Sequence, residues 1–291
     1  MQLSSRPSPR AVRNQLVRNH PVRVAAAALL VAGLIAGGVT SVAGAAAPAG
    51  PAASALAAAG SDLADPAKKD VAMRLVSSAE NSSLDWRAQF KYIEDIKDGR
   101  GYTAGLIGFC SGTGDMLDLV QAYTAAVPGN VLAPYLPALR QVNGSESHEG
   151  LDPGFTEAWA QAAQDPAFQD AQLAELDRVY FNPAVSLAKQ DGLRALGQFA
   201  YYDAAVVHGP GGLAKIRQKA LSKAAPPAQG GDESAYLEAF LDARNAEMVT
   251  EPAHADTSRI DTAQRVFLRN GNLDLDTPLN WAVYGQPYSI S

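Results

Sequence analysis

Glu80, Asp85, Glu94, Asp95 and Asp98 crowd one stretch of the chain, Ser77 to Asp115, which reads SSAENSSLDWRAQFKYIEDIKDGRGYTAGLIGFCSGTGD. Two of these carboxylates occupy contrasting settings. Glu80 ends a helix with an apolar face, where the negative end of the helix dipole suits a carboxyl that keeps its proton. Asp98 lies on the polar turn Asp98-Gly99-Arg100-Gly101, between Lys97 and Arg100, whose positive charges suit an ionised carboxylate. A proton donor and an ionised base are what cleavage of a glycosidic bond needs: one protonates the leaving oxygen, and the other attacks or activates water. By composition alone a solvated acidic face is the simpler account of the same run, so the residues by themselves leave both readings open.

Other chemistries find little support. Only His148, His208 and His254 lie beyond the first 45 residues, and no His-Glu-x-x-His occurs. Cys110 is the single cysteine, so thiolate clusters and an intramolecular disulfide are both impossible. Flanked by Phe109 and Ser111, it reads as a packed apolar residue rather than a reactive thiol. There is no Gly-x-Ser-x-Gly elbow and no phosphate-binding loop. The glycine-rich pieces CSGTGD and HGPGG read as turns. The expectation is an activity without metal or cofactor.

The elements that must position the carboxylates follow from periodicity. Asp65-Pro66 starts a helix, Asp65 as N-cap and Pro66 at the first helical position. Val71, Leu75 and Ala79 share one face, Glu80 lies one position past it, and Asn81-Ser82-Ser83 supplies the stop. Phe90, Tyr92, Ile93, Ile96, Tyr102, Thr103 and Ile107 predict short strands between Gln89 and Gly108, reversing at Asp98-Gly99. Thr113-Gly114-Asp115 opens a helix with Met116, Leu119, Val120 and Tyr123 on its apolar side. Helical patterns then cover 132–142, 155–166, 168–180, 184–207, 211–223, 232–249 and 257–270, separated by Pro, Gly or Asn. Leu193 to Val207 is apolar nearly all round, as in a buried helix, and Asp203 within it needs an arginine partner. Leu273 to Ser291 reads as an extended tail packed back on the body. Many helices and one short sheet make an α+β protein that is mainly α-helical.

The N-terminus carries five arginines and no acid in residues 1–45, then an apolar stretch from Val24 to Ile35 and small residues to Ala45. That stretch falls short of the roughly 20 apolar residues of a membrane span. Residues 1–45 read as a secretory signal peptide and 46–61 as a disordered Ala/Pro-rich leader, leaving 62–291 as the folded domain. Loss of those arginines moves the formal charge from −6 to −11. Such an acidic chain disfavours nucleic acid and favours polycations. No assembly element is visible, so a monomer is the default, secreted and free of the membrane after cleavage.

The Ser77–Asp115 run resembles the active-site region of the family 46 glycoside hydrolases, the bacterial chitosanases. The similarity continues through ALGQFAYYDA, PAQGGDES and TSRIDTAQRVFL to the C-terminus. The resemblance implies a two-lobed, lysozyme-like fold with a small antiparallel β-sheet and a substrate cleft between the lobes. It also implies endo-acting hydrolysis of β-1,4-linked glucosamine units of chitosan, with inversion in a single displacement. Carried over by motif, Glu80 is the general acid, Asp98 the general base, and Thr103 helps hold the attacking water. Asp115 is the best candidate for selecting an unacetylated sugar through its amine, though a negative charge at the N-terminus of the 115–127 helix accounts for it equally well; Tyr92 and Arg100 match cleft positions, and Glu251 is a weaker match. Asp203, Arg244 and Arg259 match a charged network behind the active site, for which plain ion pairing between helices is an equal alternative.

Three departures stand out: Lys97 before the base, Ala104 in place of a glycine after Thr103, and a shortened HGPGG loop. None removes a catalytic group. The alternatives are a lysozyme-like hydrolase of N-acetylated glycans and a carbohydrate-binding protein without catalysis; the acidic surface argues against the first, and intact Glu80, Asp98 and Thr103 against the second.

Overall fold

The computed structural model describes residues 62–250 and 255–291. The signal segment 1–45, the leader 46–61 and Glu251 lie outside the described residues. Helix α1 spans Pro66–Asn81, with the Asp65 side chain accepting from the N–H groups of Ala67 and Lys68. Its apolar face, Val71, Ala72, Leu75 and Ala79, is buried, and it stops at Ser82, which takes a left-handed φ of 50°. Glu80 is thereby carried on the last turn.

The strand expected around Phe90 is instead a 3-10 segment, Trp86–Lys91. Asp85 caps it, and the Phe90 carbonyl leaves any ladder to accept from Trp159 Nε1 (3.0 Å) and Gln172 Nε2 (3.1 Å). Two buried donors aimed at one carbonyl outweigh a local preference for extended backbone. The sheet follows as β1 (Ile93–Asp95), β2 (Tyr102–Ala104) and β3 (Phe109–Cys110), all antiparallel, with Thr103 opposite both Glu94 and Cys110.

Helices α2 (Asp115–Ala126), α3 (Leu136–Val142), α4 (Phe155–Ala162) and α5 (Pro166–Leu176) come next, and α5 runs into a π turn at Asp177–Phe181. The apolar periodicity of 184–207 is cut in two, α6 (Asn182–Gln190) and α7 (Ala195–Leu221), by Gly192 at a φ of 78°. The break expected at HGPGG is instead a kink inside α7. Gly209 takes φ 70° and ψ 172° there. Pro210 lacks an N–H and disfavours helical backbone in the residue before it, and glycine absorbs the bend. Helix α8 (Glu233–Met248) packs against α7. A second π turn, Ile260–Gln264, then leads into α9 (Arg265–Arg269). The tail is a hairpin, β4 (Leu279–Val283) and β5 (Gln286–Ile290), turning at Tyr284-Gly285. Both turn residues have positive φ, as a tight hairpin requires.

These elements close around two hydrophobic cores. One gathers α1, the hairpin and the helices from α6 onward, with Phe199, Tyr201, Tyr202, Phe240 and Trp281 inside. The other gathers the three-stranded sheet with α2 to α5 around Phe109, Met116, Phe155, Trp159 and Phe168. This is the expected mainly helical, two-lobed, lysozyme-like architecture. Cys110 is buried, as expected of a packed cysteine. Among the described residues, no helix is long and apolar enough to cross a membrane.

Candidate active site

Glu80 belongs to the lobe of the first core. Arg259 Nη1 donates to Glu80 Oε1 at 2.7 Å, and the Glu80 side chain keeps 20% of its surface exposed. Behind it lies a buried charge network. Asp203 Oδ1 accepts from Arg259 Nη2 at 2.5 Å. Asp203 Oδ2 accepts from Arg259 Nε, Arg244 Nη1 and Gln264 Nε2 at 3.2, 2.7 and 2.7 Å. The Asp203 carbonyl accepts from Arg244 Nη2. Burial works against the Asp203 charge, yet the Arg259 and Arg244 charges and hydrogen bonds overcome it and hold the carboxyl at about 2. Burial and the neighbouring Arg259 pull Arg244 below its ordinary value despite Asp203, while Asp203 and Glu80 push Arg259 above it against burial. Both remain cations, since guanidinium does not deprotonate in proteins. The partner expected for Asp203 is therefore two arginines, and one of them reaches forward to Glu80.

The other carboxylates belong to the sheet lobe. Asp98 is 4% exposed and held by its own turn: Arg100 N donates to Oδ1 at 3.1 Å, and Arg100 Nε and Nη2 donate to Oδ2 at 2.9 and 2.6 Å. Lys97, expected to act on Asp98, pairs instead with Asp95 at 2.6 Å. The Asp95 side chain also accepts from the Lys97 N–H, a local turn that draws Lys97 to a φ of 59° and away from its neighbour. Gly101, at a φ of 70°, lies where a Cβ would come within 2.3 Å of Ser111 Oγ, so only glycine lets the turn close. Thr103 is fully buried, its hydroxyl 3.5 Å from Cys110 Sγ. Tyr92 donates to Glu94 Oε2 at 3.3 Å.

Asp115 opens α2 and accepts from Thr113 Oγ1 at 2.6 Å and Cys110 N at 3.1 Å. Burial raises its carboxyl above the ordinary value, against these neutral hydrogen bonds. The charges of Asp98 and Asp115 both act on Arg100, so the turn and the start of α2 form one cluster. Sequence reasoning passed over three tyrosines near the two clusters. Tyr180, on the first π turn, feels Asp115 and Arg100, and Tyr202 feels Asp203, Glu80 and Tyr180. Tyr284, at the hairpin turn, lies beside Arg259 and Glu80, and burial raises its phenol to about 12. Nothing in their spacing marks them, because they reach the site from elements distant in sequence. The arrangement thus sets one carboxyl braced by a guanidinium on one lobe and a carboxylate-rich turn on the other, two groups of the types that acid and base chemistry needs. Among the described residues, no group of His, Cys, Asp and Glu could hold a metal ion.

Comparison with known proteins places the chain among glycoside hydrolases. A chitosanase of Streptomyces sp. (strain N174) is 68% identical over 237 residues, covering 80% of this chain and 85% of that one. A chitosanase of Nocardioides sp. (strain N106) is 62% identical over 280 residues, covering 94% of this chain and 98% of that one. The solved structure of chitosanase OU01 with substrate matches with a TM-score of 0.72 at 65% identity, covering 79% of this chain and 99% of that one. The family model for Glycosyl hydrolase family 46 matches residues 74–279, which takes in Glu80, the sheet, the buried arginines and the start of the hairpin, and the chain belongs to that family of glycoside hydrolases.

Proposed function

We propose that the chain is a secreted, endo-acting chitosanase that hydrolyses β-1,4 links between glucosamine units with inversion. The observation that carries this reading is that Glu80, braced by Arg259, belongs to one lobe and the Asp98–Arg100–Asp115 cluster to the other. Arg259 occupies Oε1 of Glu80, which leaves Oε2 to carry the proton to the leaving oxygen. Asp98 takes a proton from the attacking water, and Thr103 helps to place that water. Asp115 meets the sugar ammonium: its donors are neutral, so an arriving cation supplies the compensation that burial denies its charge. Arg100, Tyr92 and Glu251 take part in binding the sugar chain. The acidic composition draws a polycation toward it. No cofactor takes part, and the protein acts as a monomer after loss of residues 1–45.

Inversion requires room for water, so a substrate-bound crystal structure is expected to place the two carboxyls about 6.5 to 9.5 Å apart. The deciding assay is reducing-end release from highly deacetylated chitosan, chitin and peptidoglycan by wild type, Glu80→Gln and Asp98→Asn. Activity on chitosan alone is expected, falling about 10²- to 10⁴-fold or more in each variant. Cleavage of an acetylated glycan would move the substrate, and full activity in either variant would remove that residue from its role.

A further inference from the structure

The loop from Asn143 to Gly154 is tied to the turn that carries Asp98 through Gly112: Gly144 N donates to Gly112 O and Gly112 N to Arg100 O, each at 2.9 Å. His148 in this loop stacks on Tyr102, ring centroids 3.9 Å apart and planes 12° from parallel. Its two nitrogens face two carboxylates. Nε2 lies 3.3 Å from Asp95 Oδ2, and Nδ1 lies 3.3 Å from Asp152 Oδ2. Tyr102 donates to the other oxygen of Asp152 at 2.7 Å. Asp95 is the last residue of β1 and Tyr102, directly opposite it, the first of β2, so His148 grips both strands at the end of the pair that carries Asp98.

A neutral imidazole has one N–H and one lone pair, and can satisfy only one of these carboxylates. The other would face a lone pair. Nε2 is buried and has no aligned hydrogen-bond partner. The charged and titratable groups around the ring are Asp95 and Lys97 from β1 and its turn, Glu146 and Asp152 from the loop, Tyr102 from β2 and Glu157 from α4. Lys97 already bonds Asp95 directly, whereas Asp152 accepts from the Tyr102 hydroxyl and feels Lys97 only at longer range.

We propose that His148 is a positioning residue: as an imidazolium it clamps β1 and β2 to the 143–154 loop and so aligns the turn that presents Asp98. The clamp holds in acid and slackens on deprotonation, which matches the base to conditions in which glucosamine polymers carry their charge. The idea rests on the reading of Asp98 as the base.

The test is kcat and KM for a glucosamine oligomer from pH 5 to pH 8 in wild type, His148→Gln and His148→Phe. Both variants are expected to lose about 10-fold in kcat at pH 5.5, with KM within twofold and a kcat ratio to wild type near one at pH 8. A ratio that stays constant with pH, or no loss at all, overturns the clamp. Should the variants fail to fold, amide exchange in wild type decides. Corrected for its intrinsic pH dependence, exchange at residues 96–101 is expected to quicken about 10-fold from pH 5.5 to 8 relative to β4, and unchanged protection refutes the proposal. Full activity in Asp98→Asn would remove the base assignment alone, since the exchange measurement reports the clamp independently.

Discussion

Replacing Asp203 with asparagine removes one charge from the network behind Glu80 and almost no volume. In the wild type the Asp203 carboxylate is shared by two buried arginines, and Arg259 also bonds Glu80. In Asp203→Asn one guanidinium charge is left without its counterpart, and the new amide turns N–H groups toward arginine donors. Leaving a buried charge unpaired costs about 3 to 5 kcal/mol. At about 2 to 4 °C per kcal/mol for a domain of this size, the melting temperature should fall by roughly 6 to 20 °C at pH 7. The pH dependence provides a second check. A carboxyl held at about 2 rather than 3.8 contributes about 2 kcal/mol. Folded Asp203 binds its proton less readily than unfolded Asp203, so this contribution is complete above pH 3.8 and drains away as the pH falls toward 2. By pH 3 roughly half of it should be gone, and the gap between wild type and variant should narrow by about 1 kcal/mol. Urea unfolding of both proteins at pH 7, 4 and 3 measures this directly. A variant within 2 °C of wild type at neutral pH, or a gap that does not change with pH, would refute the account of the network.

Further outcomes follow from the same contacts. Arg259→Ala and Arg244→Ala each remove one of the two arginine partners of Asp203, but only Arg259 touches Glu80, so at similar losses in urea midpoint Arg259→Ala should lose about 100-fold in kcat and Arg244→Ala under tenfold. Equal kcat losses would reduce Arg259 to packing. Gly101→Ala places a Cβ against Ser111 Oγ at a positive φ. It should cost about 1 to 2 kcal/mol in urea unfolding and lower kcat through the Asp98 turn; an unchanged kcat would separate that turn from catalysis. Asp115→Asn should lose at least about tenfold in preference for deacetylated over partly acetylated oligomers. Because burial raises the Asp115 carboxyl in the folded state, its ionisation weakens the fold as pH rises through that value. The variant should therefore melt no lower than wild type at pH 7, and a drop of several degrees would return Asp115 to a purely structural role.

Local signals determined much of this protein. Asp65-Pro66 and Asn81-Ser82 bound α1 because capping and helix termination are decided by neighbouring residues, and that alone puts Glu80 on a last turn. Asp98-Gly99-Arg100-Gly101 closes a turn for the same reason, and Asp203 in an apolar helix demanded arginine because an unpaired buried charge is too costly. Tertiary structure decided the rest. Phe90 left its strand for donors on Trp159 and Gln172, which no local preference encodes. The pattern over 184–207 could not show a break at Gly192, since both helices it spans face the same core. Lys97 was next to Asp98 in sequence but turned to Asp95. Glu80 met Arg259, 179 residues away, only because α1 and the second π turn pack on one core. A helix or turn is written in a few adjacent residues, whereas the charge that faces a carboxyl depends on which surfaces the cores bring together.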